Sequence, residues 1–269
     1  MEPGTIFAQH DPAANDASRQ PESAHPPAIG YVGTVVWAVI ALVLSHIAGA
    51  IFAVLVLGFD RMRALPQLIQ VDPTAIYDGA LIANVYVASG IAQIAILVLA
   101  IQRKGWPVAD YLGLIMPSRR AIIPALTLLI AIVVLTDGAT YLLGGNPVPE
   151  FQTVSYRTAK AAGWLPLLLA VFVAVAPIAE EVLFRGFLYR GFVRQPSHAP
   201  YAIVVISIFF ALAHQQYDLL GITQVFIMAL LLGWIRWLSG SIVLTILMHM
   251  LANFIAMAET VVYVEWWHP

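Results

Sequence analysis

The sequence has no cysteine, which excludes disulfides, thiolate nucleophiles and cysteine-ligated metal sites. Charge is also scarce: Asp, Glu, Lys and Arg make up 10% of 269 residues, against about 25% in an ordinary soluble domain. There is no basic tract and the formal net charge is -2, so nothing here is built to hold a nucleic-acid backbone and no nucleic acid is expected as a partner. An HExxH zinc helix, an internal repeat and a coiled-coil heptad are all missing. The N-terminus lacks the basic stretch and short apolar core of a secretory signal, so the first apolar run is expected to be retained as a spanning helix. What remains is apolar. Hydrophobic residues are 61% of the chain, in runs long enough to cross roughly 30 Å of hydrocarbon. The fold class this implies is all-α: a polytopic integral membrane helical bundle whose surroundings are membrane lipid.

Seven spans are read from the runs at 31–59, 76–101, 121–143, 164–194, 201–214, 222–238 and 242–264. Residues 1–29, rich in Pro, Ala and Ser, read as a flexible tail. Residues 60–78 read as a polar loop, and 144–163 as a turn followed by a short amphipathic helix along the interface. Arg103, Lys104, Arg119 and Arg120 flank one connection, and Arg185, Arg190 and Arg194 end the fourth span. By the positive-inside rule both sites are cytoplasmic, which puts the N-terminus inside and the C-terminus, with Trp266 and Trp267, outside. Asn84, Ser89 and Gln93 recur on the second span and point to a face turned toward protein. Ser45 and His46 read as packing residues, and Asp137 as a carboxylate near the outer headgroups. One depth is awkward: fifteen or so residues of the fifth helix put His214 nearer the outer side than the other site residues, unless that helix tilts or starts below the surface.

The fourth run ends in Ala179-Glu180-Glu181-Val182-Leu183-Phe184-Arg185-Gly186. Ions at such depth must be paired or must do chemistry. Residues four apart on a helix are neighbours, so Glu181 and Arg185 can pair, while Glu180 faces elsewhere and needs a partner from another helix. His214 and His249 lie on later apolar runs, with Asn253 one turn beyond His249. A carboxylate and an imidazole in a poorly solvated cavity can take a proton from water, and His249 with Asn253 can form an oxyanion hole. The same residues permit two other readings. A zinc site would use Glu180, His214 and His249, and a non-catalytic scaffold or transport protein would use the polar groups to join helices or pass ions. The metal-free arrangement is favoured because a neutral amide such as Asn253 is a good donor and a poor zinc ligand; no cofactor is favoured.

These three stretches, with Phe210-Ala211-Leu212-Ala213-His214 as the second and His249-Met250-Leu251-Ala252-Asn253 as the third, resemble the EExxxR, FxxxH and HxxxN motifs of the CPBP family. These are intramembrane proteases related to the type II CAAX prenyl endopeptidase and to bacterial Abi proteins. The resemblance covers about residues 160–258. It implies a catalytic membrane domain there, preceded by N-terminal helices at 30–159 and followed by the end of the last helix at 259–269. It further implies that Glu180 and His214 activate water, that His249 and Asn253 stabilise the oxyanion, and that Glu181, Arg185 and Phe210 shape the site. The activity implied is peptide-bond hydrolysis of a membrane-associated or lipid-modified protein, in a cavity open to the cytoplasm, by a multi-pass protein of a bacterial cytoplasmic membrane. Family members are often labelled metalloproteases and described with eight helices, and some are associated with bacteriocin immunity.

Overall fold

A computed structural model describes residues 28–268. The expected flexible tail lies, but for its last two residues, outside the described residues. Ten helices follow: α1 (Tyr31–Leu57), α2 (Phe59–Val71), α3 (Gly79–Arg103), α4 (Val108–Leu112), α5 (Arg119–Leu142), α6 (Glu150–Ala161), α7 (Leu165–Phe192), α8 (Ala199–Leu212), α9 (Leu219–Ser239) and α10 (Ile242–Trp267). Six of them, α1, α3, α5, α7, α9 and α10, are long and apolar enough to cross a membrane. The expected fifth span is α8, and at 14 residues it rises only about 21 Å, short of the hydrocarbon thickness. The bundle is therefore polytopic, with six full-length helices and one short one.

Two connections differ from the reading of the sequence. The polar loop at 60–78 is largely helical: α2 runs through Pro66 with no buried residue, followed by a single 3-10 helix at Pro73–Tyr77. In the basic connection, α4 turns back into the bundle, burying Tyr111 and Leu112 beside Trp106. It stays there because Gly113 leaves its helix at φ 74, its carbonyl accepting from Ile242 N at 2.9 Å. Positive φ at no steric cost is what glycine supplies.

The two ends of the bundle are chemically distinct. At one, the start of α1 meets the end of α7, with Tyr31 stacked on Phe192 and Arg194 over the Tyr31 ring. The basic connection after α3 joins this end, as Arg190 lies over Trp106. At the other end, α6 works as a clasp. Thr158 accepts from Gly79 N, Lys160 pairs with Glu265, and Tyr156 donates to the same carboxylate at 2.9 Å. Close approach between helices depends on small residues. A Cβ at Gly49 of α1 would stand 2.5 Å from Val85 O of α3, and one at Gly79 would strike Ser155 O of α6.

Asn84, Ser89 and Gln93 are buried on the inner face of α3. Asn84 and Ser89 bond within their own helix, whereas Gln93 Nε2 reaches Ala179 O of α7 at 2.9 Å. Ser45 and His46 bond to Leu42 O and have no part in the polar cluster. Asp137 accepts from Gln224 Nε2 at 3.0 Å.

Candidate active site

The helix that carries both glutamates is not uniformly α. Val171–Val175 and Val182–Leu188 are π-helical, and Glu180 and Glu181 sit on the α-helical turns between them. Pro177 accounts for the first widening. A proline has no N–H and its ring clashes with the carbonyl four residues back, so the ladder shifts. Ala176 N bonds to Val171 O, five residues back. The next carbonyl, Phe172 O, would then take its hydrogen from residue 177, where proline offers none. Asn253 Nδ2 of α10 supplies it instead, at 2.8 Å. At the second widening Tyr189 N bonds to Phe184 O, and Arg236 Nε of α9 donates to Arg185 O at 3.1 Å. Irregular turns are over-represented at functional sites because they release backbone groups for other partners.

Glu181 is fully buried. Its Oε1 accepts from Arg185 Nη1 at 2.8 Å, one helical turn away, and faces His249 Nδ1 at 3.0 Å. The guanidinium also donates to Ala229 O at 3.0 Å and lies 4.4 Å over the Phe210 ring. A carboxylate that already takes a guanidinium hydrogen can only accept, so His249 donates from Nδ1 and its Nε2 is turned the other way. There it meets Glu180 Oε2 at 3.8 Å. That is too long for a direct hydrogen bond. Glu180 keeps 25% of its side-chain surface accessible, against 0% for Glu181, so the two adjacent glutamates occupy different surroundings.

His214 caps the C-terminal end of α8, where its Nδ1 bonds to Phe210 O at 2.7 Å. A carbonyl oxygen accepts only, so Nδ1 carries the hydrogen and Nε2 is left outside this bond. Phe210 joins the parts: its ring centroid is 4.7 Å from His214, 5.8 Å from His249 and 5.0 Å from Phe184. The structure places His214 against Phe210 at the end of α8. The short α8 brings Phe210 against both histidines, and the imidazole at its end folds back on that ring.

The structure thus brings together Glu180, Glu181, Arg185, Phe210 and His249, seats His214 on the same phenylalanine, and ties Asn253 to the helix that carries the glutamates. Three residues at or beside the cluster were not singled out from the sequence. Arg236 is buried and, among the described residues, pairs with no carboxylate, donating to Arg185 O and Leu112 O. Gln152 and Tyr217 meet at 3.4 Å on the α6 side, where Tyr217 stands 6.1 Å ring to ring from His214. Pro177 was the available signal for the widened turn. An arginine in the last turn of an apolar run was the signal for Arg236.

The proposed zinc set does not close. Among the described residues no three His, Asp or Glu side chains converge as ligands.

Comparison with known proteins agrees with the arrangement at a coarse level. The family described as "Type II CAAX prenyl endopeptidase Rce1-like" matches residues 162–255, which hold all three motifs. An "Uncharacterized 24.3 kDa protein" of Escherichia coli is 30% identical over 118 residues, 42% of this chain and 54% of that protein. The chain therefore spans about half the length of that relative. No solved structure matches. Residues 162–255 are thus similar to a CAAX-type protease domain, in a chain with six helices long and apolar enough to cross a membrane.

Proposed function

We propose, taking residues 162–255 as a CAAX-type protease domain, that this protein is an intramembrane endopeptidase that cleaves a membrane-associated or lipid-modified protein. The observation that carries the reading is the contrast between the neighbouring glutamates: Glu181 is locked to Arg185 and His249, while Glu180 is partly accessible and 3.8 Å from the outward nitrogen of the same imidazole. Such a carboxylate is free to act on water. A water held by Glu180 donates one hydrogen to it and the other to His214 Nε2, which the bond to Phe210 O leaves as an acceptor. The oxygen attacks the scissile carbonyl, Glu180 takes the proton, and the protonated carboxyl returns it to the leaving amine. Charge on the tetrahedral oxygen is met by the second N–H of Asn253 and by the imidazole of His249. No step is routed through a metal.

The basic end of the bundle is cytoplasmic in this reading, and the protein resides in a bacterial cytoplasmic membrane. With α8 counted as a crossing, there are seven spans and the chain ends on opposite sides. The test is a catalogue of peptide ends in membranes containing the native protein or Glu180→Gln. Ends that appear with the native protein, persist after chelator treatment and vanish with Glu180→Gln are expected. Identical catalogues would overturn the peptidase reading, and ends restored only by added zinc would overturn the metal-free route.

A further inference from the structure

The roles above leave the oxyanion with few donors. Asn253 has committed one N–H to Phe172 O, and His249 has committed Nδ1–H to Glu181. A further hydroxyl stands beside His214, in the connection between α8 and α9. The Tyr217 ring lies 6.1 Å from that of His214 and 4.9 Å from that of Phe151. Its phenol is within electrostatic reach of the Glu180 carboxylate.

The hydroxyl is held in place from α6. Gln152 Nε2 donates to Tyr217 Oη at 3.4 Å, and Gln152 Oε1 accepts from Thr260 Oγ1 of α10 at 2.9 Å. Gln152 is buried, with 6% of its surface exposed, so its amide is fixed between α10 and the connection that carries Tyr217. The ring is seated by Gly221 in the first turn of α9, where a Cβ would come within 2.7 Å of Tyr217 Cδ1. Burial, with a smaller push from Glu180, raises the phenol to about 12. It therefore keeps its hydrogen throughout the neutral range and does not compete with Glu180 as a base. With Gln152 donating to Oη, the phenol hydrogen is left to bond elsewhere.

We propose that Tyr217 is a catalytic donor of this site, its hydroxyl, aimed by Gln152, hydrogen-bonding the oxygen of the scissile carbonyl as negative charge develops there. The proton stays on the phenol throughout, so no group is transferred. The proposal rests on the peptidase reading and adds a residue outside the three motifs. It also gives α6, which lies outside the six long helices, a direct hold on the chemistry.

The experiment measures kcat and KM for purified protein in lipid nanodiscs, using internally quenched peptides anchored to the bilayer by a C-terminal lipid-modified residue. Tyr217→Phe, which retains the ring against His214 and Phe151, is expected to lower kcat by about 100-fold or more and to leave KM within about twofold, as removal of one oxyanion donor does. Gln152→Leu should act in the same direction by a smaller factor, since it misdirects the hydroxyl without deleting it. Both variants should melt within a few degrees of the native protein. Native kcat in Tyr217→Phe, with Glu180→Gln inactive, overturns the role of Tyr217 alone; so does a loss that appears only as lowered melting temperature or raised KM. Hydrolysis that survives Glu180→Gln, or none with the native protein, overturns the peptidase reading and this role with it.

Discussion

Glu181 and Arg185 are where the cost of burying charge is most concentrated. Both are buried, and the pair is completed by His249, Ala229 O and the Phe210 ring. Removing one member of such a pair leaves the other charge without compensation, at a cost of roughly 3–5 kcal/mol, while removing both is far milder. Glu181→Gln and Arg185→Met should therefore each lower the temperature of thermal inactivation, and the double variant should regain part of the loss. Strict additivity would show that the two charges do not depend on each other. The adjacent Glu180→Gln should leave the inactivation temperature nearly unchanged, because that carboxylate has solvent and no committed partner.

At the scale of the element, α7 shows how a single residue reshapes a site. Pro177 shifts the backbone ladder, leaves Phe172 O without an internal donor, and so creates the acceptor that Asn253 fills. Proline inside a helix costs about 3 kcal/mol, so its replacement by alanine should not destabilise the fold. Pro177→Ala returns an N–H to the turn, in competition with Asn253 for the carbonyl. The expected result is a thermal stability equal to or above native, with turnover reduced about tenfold or more as Asn253 and the glutamates lose their relation. Native turnover in this variant would mean that the widened turn has no bearing on the chemistry. The short α8 makes a similar point. Its length, 14 residues, lets His214 cap the helix end and fold back on Phe210 instead of continuing toward the far interface.

For the whole molecule, the distribution of charge sets the expected orientation. Arg103, Lys104, Arg119 and Arg120 flank one connection, Arg190 and Arg194 lie beside the start of α1, and the α6 end carries Lys160 paired to Glu265. Short loops rich in Lys and Arg remain in the cytoplasm. Reporter fusions at Met116 should accordingly give a cytoplasmic signal, and fusions at Gln152 and Pro269 a signal from the other side. A cytoplasmic signal at Pro269 would show that α8 does not count as a crossing. The helices at the rim are consistent with lipid on their outer faces: only 11% of the most apolar window of α5 is buried, against 39% for α7.

The sequence by itself determined that this is a helical membrane bundle, because runs of that length and so few charges permit little else. It also determined the Glu181–Arg185 pair, since a helix places residues four apart side by side whatever surrounds it. The three motifs and their resemblance to the CPBP family were likewise legible, and the Rce1-like match falls on the same residues. Inward faces were legible only where a polar residue marked them, as Gln93 does, because a helix that is apolar on all sides has no stripe to read. Tertiary structure alone decided that both nitrogens of His249 face glutamates, that Asn253 bonds Phe172 O, and that α6 reaches Tyr217 through Gln152. Each of these joins residues from different parts of the chain, 65 positions apart for the Gln152–Tyr217 bond. Local propensity contains no term for such a distance; it is fixed only when helices of unequal length and irregular backbone pack against one another.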